Sequence, residues 1–139
     1  MKNRTPVSKI MSSNVMTVNT TNKLEDAHQI MINNNVHHVP VVSGKNVIGI
    51  LSKSDIDRIS FLVGVEKEKE KAITMVFDML TIEQVMTKEV KDVQKNSTIK
   101  ESVAIFADAK FHALPVVEGE DLVGIVTSTD VFKYMLDQY

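Results

Sequence analysis

Two stretches of the chain, "SKSD" at 52–55 and "TSTD" at 127–130, carry one chemical set: hydroxyl, spacer, hydroxyl, carboxylate. Each ends an apolar run, "GIL" or "GIV". Such a run reads as a buried strand giving way to a helix, which puts the set at a helix N-terminus. Unpaired backbone N–H groups and the helix dipole favour an anion there, and phosphate suits the place. The hydroxyls of Ser52, Ser54, Thr127 and Thr129 add donors. A carboxylate would repel phosphate, but Asp55 and Asp130 can accept from the vicinal hydroxyls of a ribose. The plainer alternative is that Ser54 and Thr129 cap the helices and the Asp residues complement the dipole. Both readings can hold at once.

Catalytic machinery is harder to find. The chain has no cysteine, which excludes disulfides, thiolate metal sites and cysteine nucleophiles. No compact His/carboxylate spacing suggests a metal site, although Asp55 and Asp57 leave weak divalent-ion binding open. A hydrolase using His37 and His38 with Asp55 is the enzymatic alternative. It lacks an activated-serine signature and a close carboxylate pair, so the expectation is no enzyme and no catalytic cofactor.

The elements that position the two sets are themselves repeated. The offset from Gly49 to Gly124 is 75 positions, as it is for Met11 and Met86, His37 and His112, Pro40 and Pro115, and Gly44 and Gly119. Residues 7–57 slide over 82–132 without a gap, with 12 identities in 51 positions, against about three by chance. The chain is an internal duplication: repeat one over 1–59, a charged connection over 60–81 expected to be helical through "EKEKEK", and repeat two over 82–139.

Each copy reads alike. A short helical start comes at Thr5-Pro6 or Thr81-Ile82. "NVMTV" and "EVKDV" then read as short strands. Leu24, Ala27, Ile30 and Met31 share a helix face, matched by Ile99, Ser102, Ile105 and Phe106. Asn22 with Glu25, and Thr98 with Glu101, have capping-box spacing. "HVPVV" and "ALPVV" are strands turned by Gly44 or Gly119. "VIGIL" and "LVGIV" are strands apolar enough to be covered on both faces, and helices open at Ser54 and Thr129. His28 falls on the outer side of its helix and reads as a surface residue. A repeat of about 50 residues buries too little surface alone, so the copies are expected to pack together.

Composition sets the class. Of 139 residues, 43% are hydrophobic and 24% charged, the balance of a globular protein with a core. A net charge of −2, with only Arg4 and Arg58 as arginines, argues against a nucleic-acid partner. No apolar run approaches the ~20 residues of a membrane span, and "MKNRTPVSKIM" lacks a signal-peptide core. A cytoplasmic protein with no membrane partner is expected.

The paired segments "VSKIMSSNVMTV…AHQIMINNNVHHVPVV…GKNVIGILSKSD" and "IEQVMTKEVKDV…AIFADAKFHALPVVEGEDLVGIVTSTD" resemble a tandem pair of CBS domains, the cystathionine-β-synthase-type regulatory repeat. The resemblance implies an α/β fold of two repeats about a pseudo-twofold axis, each a small mixed sheet with flanking helices. It implies a sensory module with clefts between the repeats for AMP, ADP, ATP or S-adenosylmethionine, with or without magnesium. It also implies a homodimer acting on an effector protein in trans, or else an interaction or divalent-ion module whose clefts have degenerated.

Carried over by position, Thr127, Thr129 and Asp130 would share one cleft with Met11, Met16, Val36, His37 and His38. Ser52, Ser54 and Asp55 would share the other with Met86, Lys91, Phe111 and His112. Met and Val would form a slot for the purine, or serve simply as core, and imidazole could donate to phosphate. His38 is matched by Ala113 and Met16 by Lys91, so the two sites are expected to differ in affinity. For the dimer, Phe61, Leu62 and Val63, then Ile73, Val76, Phe77 and Leu80, then Phe132, Tyr134, Met135 and Leu136 are the candidate apolar material, unless the connection folds back on its own module.

Overall fold

A computed structural model of the protein describes residues 4–62, 75–108 and 110–139, without the side chains of 61 and 62. The charged run at 66–71, Val63, Ile73 and the side chains of Phe61 and Leu62 therefore lie outside the described residues. The chain forms two compact units, and their membership is not sequential. One unit takes Met1–Val15 together with Val90–Tyr139; the other is Met16–Glu89. Each unit thus contains most of one repeat and the opening segment of the other.

In the Met16–Glu89 unit, α1 (Leu24–Asn34) leads to the hairpin β1 (His38–Ser43) and β2 (Asn46–Ser52), then α2 (Lys53–Leu62). Leu24, Ala27 and Met31 are buried on one face of α1, the 3.6-residue spacing read from the sequence. Gly44 turns the hairpin at φ +62, a conformation that costs an L side chain. The strands pair antiparallel from His38↔Ser52 to Ser43↔Asn46, with a bulge between Val41 and Val42. Leu51 and its neighbours are buried, but Asn46 and Ile48 are exposed, so β2 is covered only along its second half. Helical residues 75–79 and the short α3 (Ile82–Val85) complete this unit.

The other unit repeats the plan. A 3-10 turn (Val7–Lys9) is followed after the exchange by β3 (Val93–Gln94), α4 (Ile99–Ala107), the hairpin β4 (Ala113–Glu118) and β5 (Asp121–Thr127), and α5 (Ser128–Asp137). β3 is parallel to β4, and β4 antiparallel to β5 with its bulge at the matching place, between Val116 and Val117. Gln94 clasps the turn: its Nε2 donates to the Gly119 carbonyl and its Oε1 accepts from the Gly119 amide, both at 3.1 Å. At the matching position Asn19 is one carbon shorter and closes a local turn instead, its Oδ1 accepting from the Thr21 amide at 3.0 Å.

Several local expectations are corrected. Of "NVMTV", only Val18 meets a neighbour, as an isolated parallel bridge to Val41, and of "EVKDV" only Val93 enters a strand. Both stretches lie where the chain leaves one unit for the other, so most of their backbone has no strand to pair with. Pro6 precedes its 3-10 turn instead of opening it. At α1 only the carboxylate half of a box forms, one residue late: the Lys23 amide donates to Asp26 Oδ2 at 2.8 Å, while Asn22 Oδ1 accepts from the Asn19 amide. Thr98 does cap α4, accepting from the Glu101 amide at 3.1 Å.

The apolar side chains divide into one core per unit. Val18, Leu24, Met31, Leu51, Ile56 and Phe77 belong to the first. Val7, Val93, Ile99, Leu114, Val126 and Val131 belong to the second. Phe77 is only 3% exposed, with Val76 and Leu80 packed beside it, so this part of the connection folds onto its own unit. His28 is half-buried, its ring edge-on to Phe77 at 5.6 Å; it is a packing residue, not merely a surface one.

Candidate functional site

The helices that follow β2 and β5 open one residue past Ser52 and Thr127, earlier than expected. Ser52 and Thr127 are therefore the caps, not Ser54 and Thr129. Ser52 Oγ accepts from the Asp55 amide at 3.1 Å, and Asp55 Oδ2 accepts from the Ser52 amide at 2.9 Å. Thr127 Oγ1 accepts from the Asp130 amide at 3.2 Å, and Asp130 Oδ2 from the Thr127 amide at 2.8 Å. Each is a reciprocal capping box, with Asp in the place usually held by Glu. The sequence carried the deciding signal: a box needs cap and carboxylate three residues apart, which Ser52–Asp55 and Thr127–Asp130 satisfy and Ser54 and Thr129 do not.

Those boxes use donors that phosphate would otherwise take. The amide of Lys53 is also spent, donating to the His37 carbonyl at 2.7 Å, and that of Ser128 donates to the His112 carbonyl at 3.0 Å. A bare helix N-terminus has about four unpaired N–H groups. Here the cap, N1 and N3 amides are all satisfied. What each helix retains is the N2 amide, the hydroxyl of Ser54 or Thr129 (both residues exposed) and the Oδ1 atom of a half-buried carboxylate. Chemically that is a set for one phosphate oxygen and for neutral hydroxyls, and it is weaker for anions than an open helix end.

A methionine packs on the strand that leads into each set. Thr87 and Ile50 exchange backbone hydrogen bonds at 2.9 and 3.0 Å, which lays Met86 against Gly49 of β2. Ser12 and Ile125 exchange theirs at 2.9 and 3.0 Å, laying Met11 against Gly124 of β5. Both glycines are buried, and a Cβ on either would collide with the thioether. Met11 and Met86 thus pack on β5 and β2 three residues before Thr127 and Ser52.

The expected residues distribute between the units as follows. Met11, Lys91, Phe111, His112, Thr127, Thr129 and Asp130 fall in the Met1–Val15 and Val90–Tyr139 unit. Met16, Val36, His37, His38, Ser52, Ser54, Asp55 and Met86 fall in the Met16–Glu89 unit. Within a unit, the backbone ties His112 to the Asp130 helix and His37 to the Asp55 helix. The imidazole-bearing residues His37 and His112 are exposed, as are Met16 and Lys91; Val36, Phe111 and His38 are half-buried. Among the described residues no group of three His, Asp or Glu side chains could hold a metal ion, and Asp57 is paired with Lys53 at 2.7 Å. Also among the described residues, no helix is long and apolar enough to cross a membrane.

The family model for the CBS domain matches residues 7–61 and again 82–137. The chain belongs to the CBS domain family. As a CBS pair it has relatives of several kinds. It is 32% identical over 133 residues to a homoserine O-acetyltransferase of Methanosalsum zhilinae, covering 94% of this chain but only 24% of that enzyme. The chain spans about a third of another curated relative, from Methanocaldococcus jannaschii. Among solved structures, the CBS domain pair of protein MJ0100, in complex with 5′-methylthioadenosine and S-adenosyl-L-methionine, matches at TM-score 0.74 and 25% identity. That match covers 94% of this chain and 99% of the other. The protein CBSX2 in complex with AMP matches at TM-score 0.77 and 21% identity, over 96% and 97%.

Proposed function

We propose that the protein is a regulatory module that binds an adenine nucleotide, AMP, ADP or ATP, through its two hydroxyl–carboxylate sets. One observation carries the reading. Each capping box consumes a single carboxylate oxygen, leaving Asp55 Oδ1 and Asp130 Oδ1, while the hydroxyls of the preceding residues, Ser54 and Thr129, make no hydrogen bond among the described residues. Helix capping alone accounts for Ser52 and Thr127 but gives Ser54 and Thr129 no task. A ribose diol does. The adenosine compounds held by MJ0100 and CBSX2 support the choice of class. The family's regulatory character, and the appearance of such pairs within longer enzymes, support signalling to a partner over catalysis.

Nucleotide binding would act on an effector protein in trans, in the cytoplasm, by favouring whichever state of the module binds it better. We propose a homodimer as the working form, its surface built on α5, where Phe132 and Leu136 are 61% and 72% exposed one turn apart. Magnesium would enter only with a di- or triphosphate.

The deciding experiment is a thermal-shift and calorimetry screen of AMP, ADP, ATP, GTP and S-adenosylmethionine, with and without magnesium. A specific ligand at 100 times its Kd should add about 2.7 kcal/mol of stability. No response to any adenosine compound at millimolar concentration would remove the proposal.

A further inference from the structure

Both site carboxylates spend Oδ2 on their own helix cap, at 2.9 Å for Asp55 and 2.8 Å for Asp130. They differ at the other oxygen. The Arg58 guanidinium stands 3.9 Å from Asp55 Oδ1, one turn along α2. The matching residue on α5 is Lys133, and among the described residues it makes no ion pair with Asp130. The first turns diverge further. α2 also carries the Lys53–Asp57 pair, whereas α5 has Ser128 and Phe132 at those positions. Two opposite-charge pairs thus accompany the Asp55 set, and among the described residues none accompanies the Asp130 set.

We propose that the Asp130 set binds more tightly than the Asp55 set and fills preferentially, because Arg58 is a tethered competitor for the Asp55 carboxylate. This deepens the adenosine reading above and rests on it. A ribose diol is neutral, so it must displace the guanidinium from Asp55 without returning any charge to the carboxylate. Asp130 exacts no such displacement. The separation is too long for a hydrogen bond, and the Arg58 side chain is 70% exposed against 13% for Asp55. The competitor is therefore weak, and a difference of about two- to threefold in affinity is expected. Salt should narrow it, since an exposed pair is screened.

The test uses adenosine, which is neutral, so that no ligand phosphate confuses the salt dependence. Asp130→Asn leaves the Asp55 set to be titrated alone. In that background Arg58→Gln should tighten adenosine about two- to threefold, and about 0.5 M salt should recover most of the gain without the substitution. In the Asp55→Asn background, Lys133→Gln should leave the affinity unchanged. Circular dichroism of each variant establishes that it is folded. An unchanged Kd on Arg58→Gln, or equal tightening from Lys133→Gln, overturns the preference while leaving the nucleotide reading in place. Absence of adenosine binding to the unaltered protein overturns the preference, and absence of AMP, ADP and ATP binding as well overturns the nucleotide reading with it.

Discussion

The thioether of Met11 occupies the volume that a Cβ on Gly124 would need, with the Ser12 carbonyl 3.0 Å away on the same side. Gly124→Ala must push Met11 off the edge of β5 or strain the strand, at about 1–3 kcal/mol by urea unfolding. Met11→Ala in the same chain should return part of that loss. Gly44→Ala is the contrast. Among the described residues no atom beyond the chain neighbours lies within 4 Å of the added Cβ, so its cost of about 1–2 kcal/mol comes from the positive φ and no second substitution should relieve it.

The capping geometry separates stability from binding. Thr127→Ala should lose about 1 kcal/mol of stability with its cap bond. Thr129→Ala, which removes no hydrogen bond, should change stability by under about 0.5 kcal/mol yet weaken AMP. Asp130→Ala should weaken binding by about 1.5–3 kcal/mol, as expected for a hydrogen bond to a charged group. Calorimetry beside denaturant titration reads both quantities on the same samples. Equal affinities for the unaltered and Thr129→Ala proteins would leave that hydroxyl without a role.

Ser102 is fully buried, and among the described residues its hydroxyl has no hydrogen-bond partner. The matching position in repeat one is Ala27, equally buried. Ser102→Ala should therefore stabilise the protein by about 1 kcal/mol, the desolvation cost of an unmade bond, read as a rise in Tm.

Phe77→Ala should cost about 3–5 kcal/mol, since it opens a cavity in the core that also holds Ile82 and Met86. It should also free the edge of the His28 ring. A loss under 1 kcal/mol would mean that residues 75–80 are not held against this core in solution.

Light scattering tests the dimer: the expected mass is twice 15.5 kDa at micromolar concentration. Phe132→Glu with Leu136→Glu should halve it without unfolding the chain, because both side chains are exposed. An unaltered protein already at the monomer mass would end that proposal.

What the sequence made legible was whatever depends on local spacing. The faces of α1 and α4, the hairpins turned at Gly44 and Gly119, and the cap at Thr98 all follow from periods of three to four residues or from a single special φ. What it hid depends on partners distant in the chain. "NVMTV" has strand-like residues but little to pair with, and the amphipathic pattern at Val76, Phe77 and Leu80 announces burial without naming the surface that provides it. The clasp of Gln94 on Gly119 spans 25 residues and depends on one methylene that Asn19 lacks. At the site, the hydroxyls and carboxylates were legible as a set. Their division into cap and remainder was also written there, in a spacing of three rather than one.

The traded opening segments bear on where such a chain could have come from. In the observed arrangement each copy's methionine packs on the other copy's glycine, so a single copy folded in the same way would need a sister molecule to supply that glycine. The earliest functional form would then have been a pair of identical chains, each lending its first residues to the other. Joined end to end in one chain, the two copies keep that loan internal. From then on the two copies could diverge, Arg58 from Lys133 and His38 from Ala113, without either losing the segment it depends on.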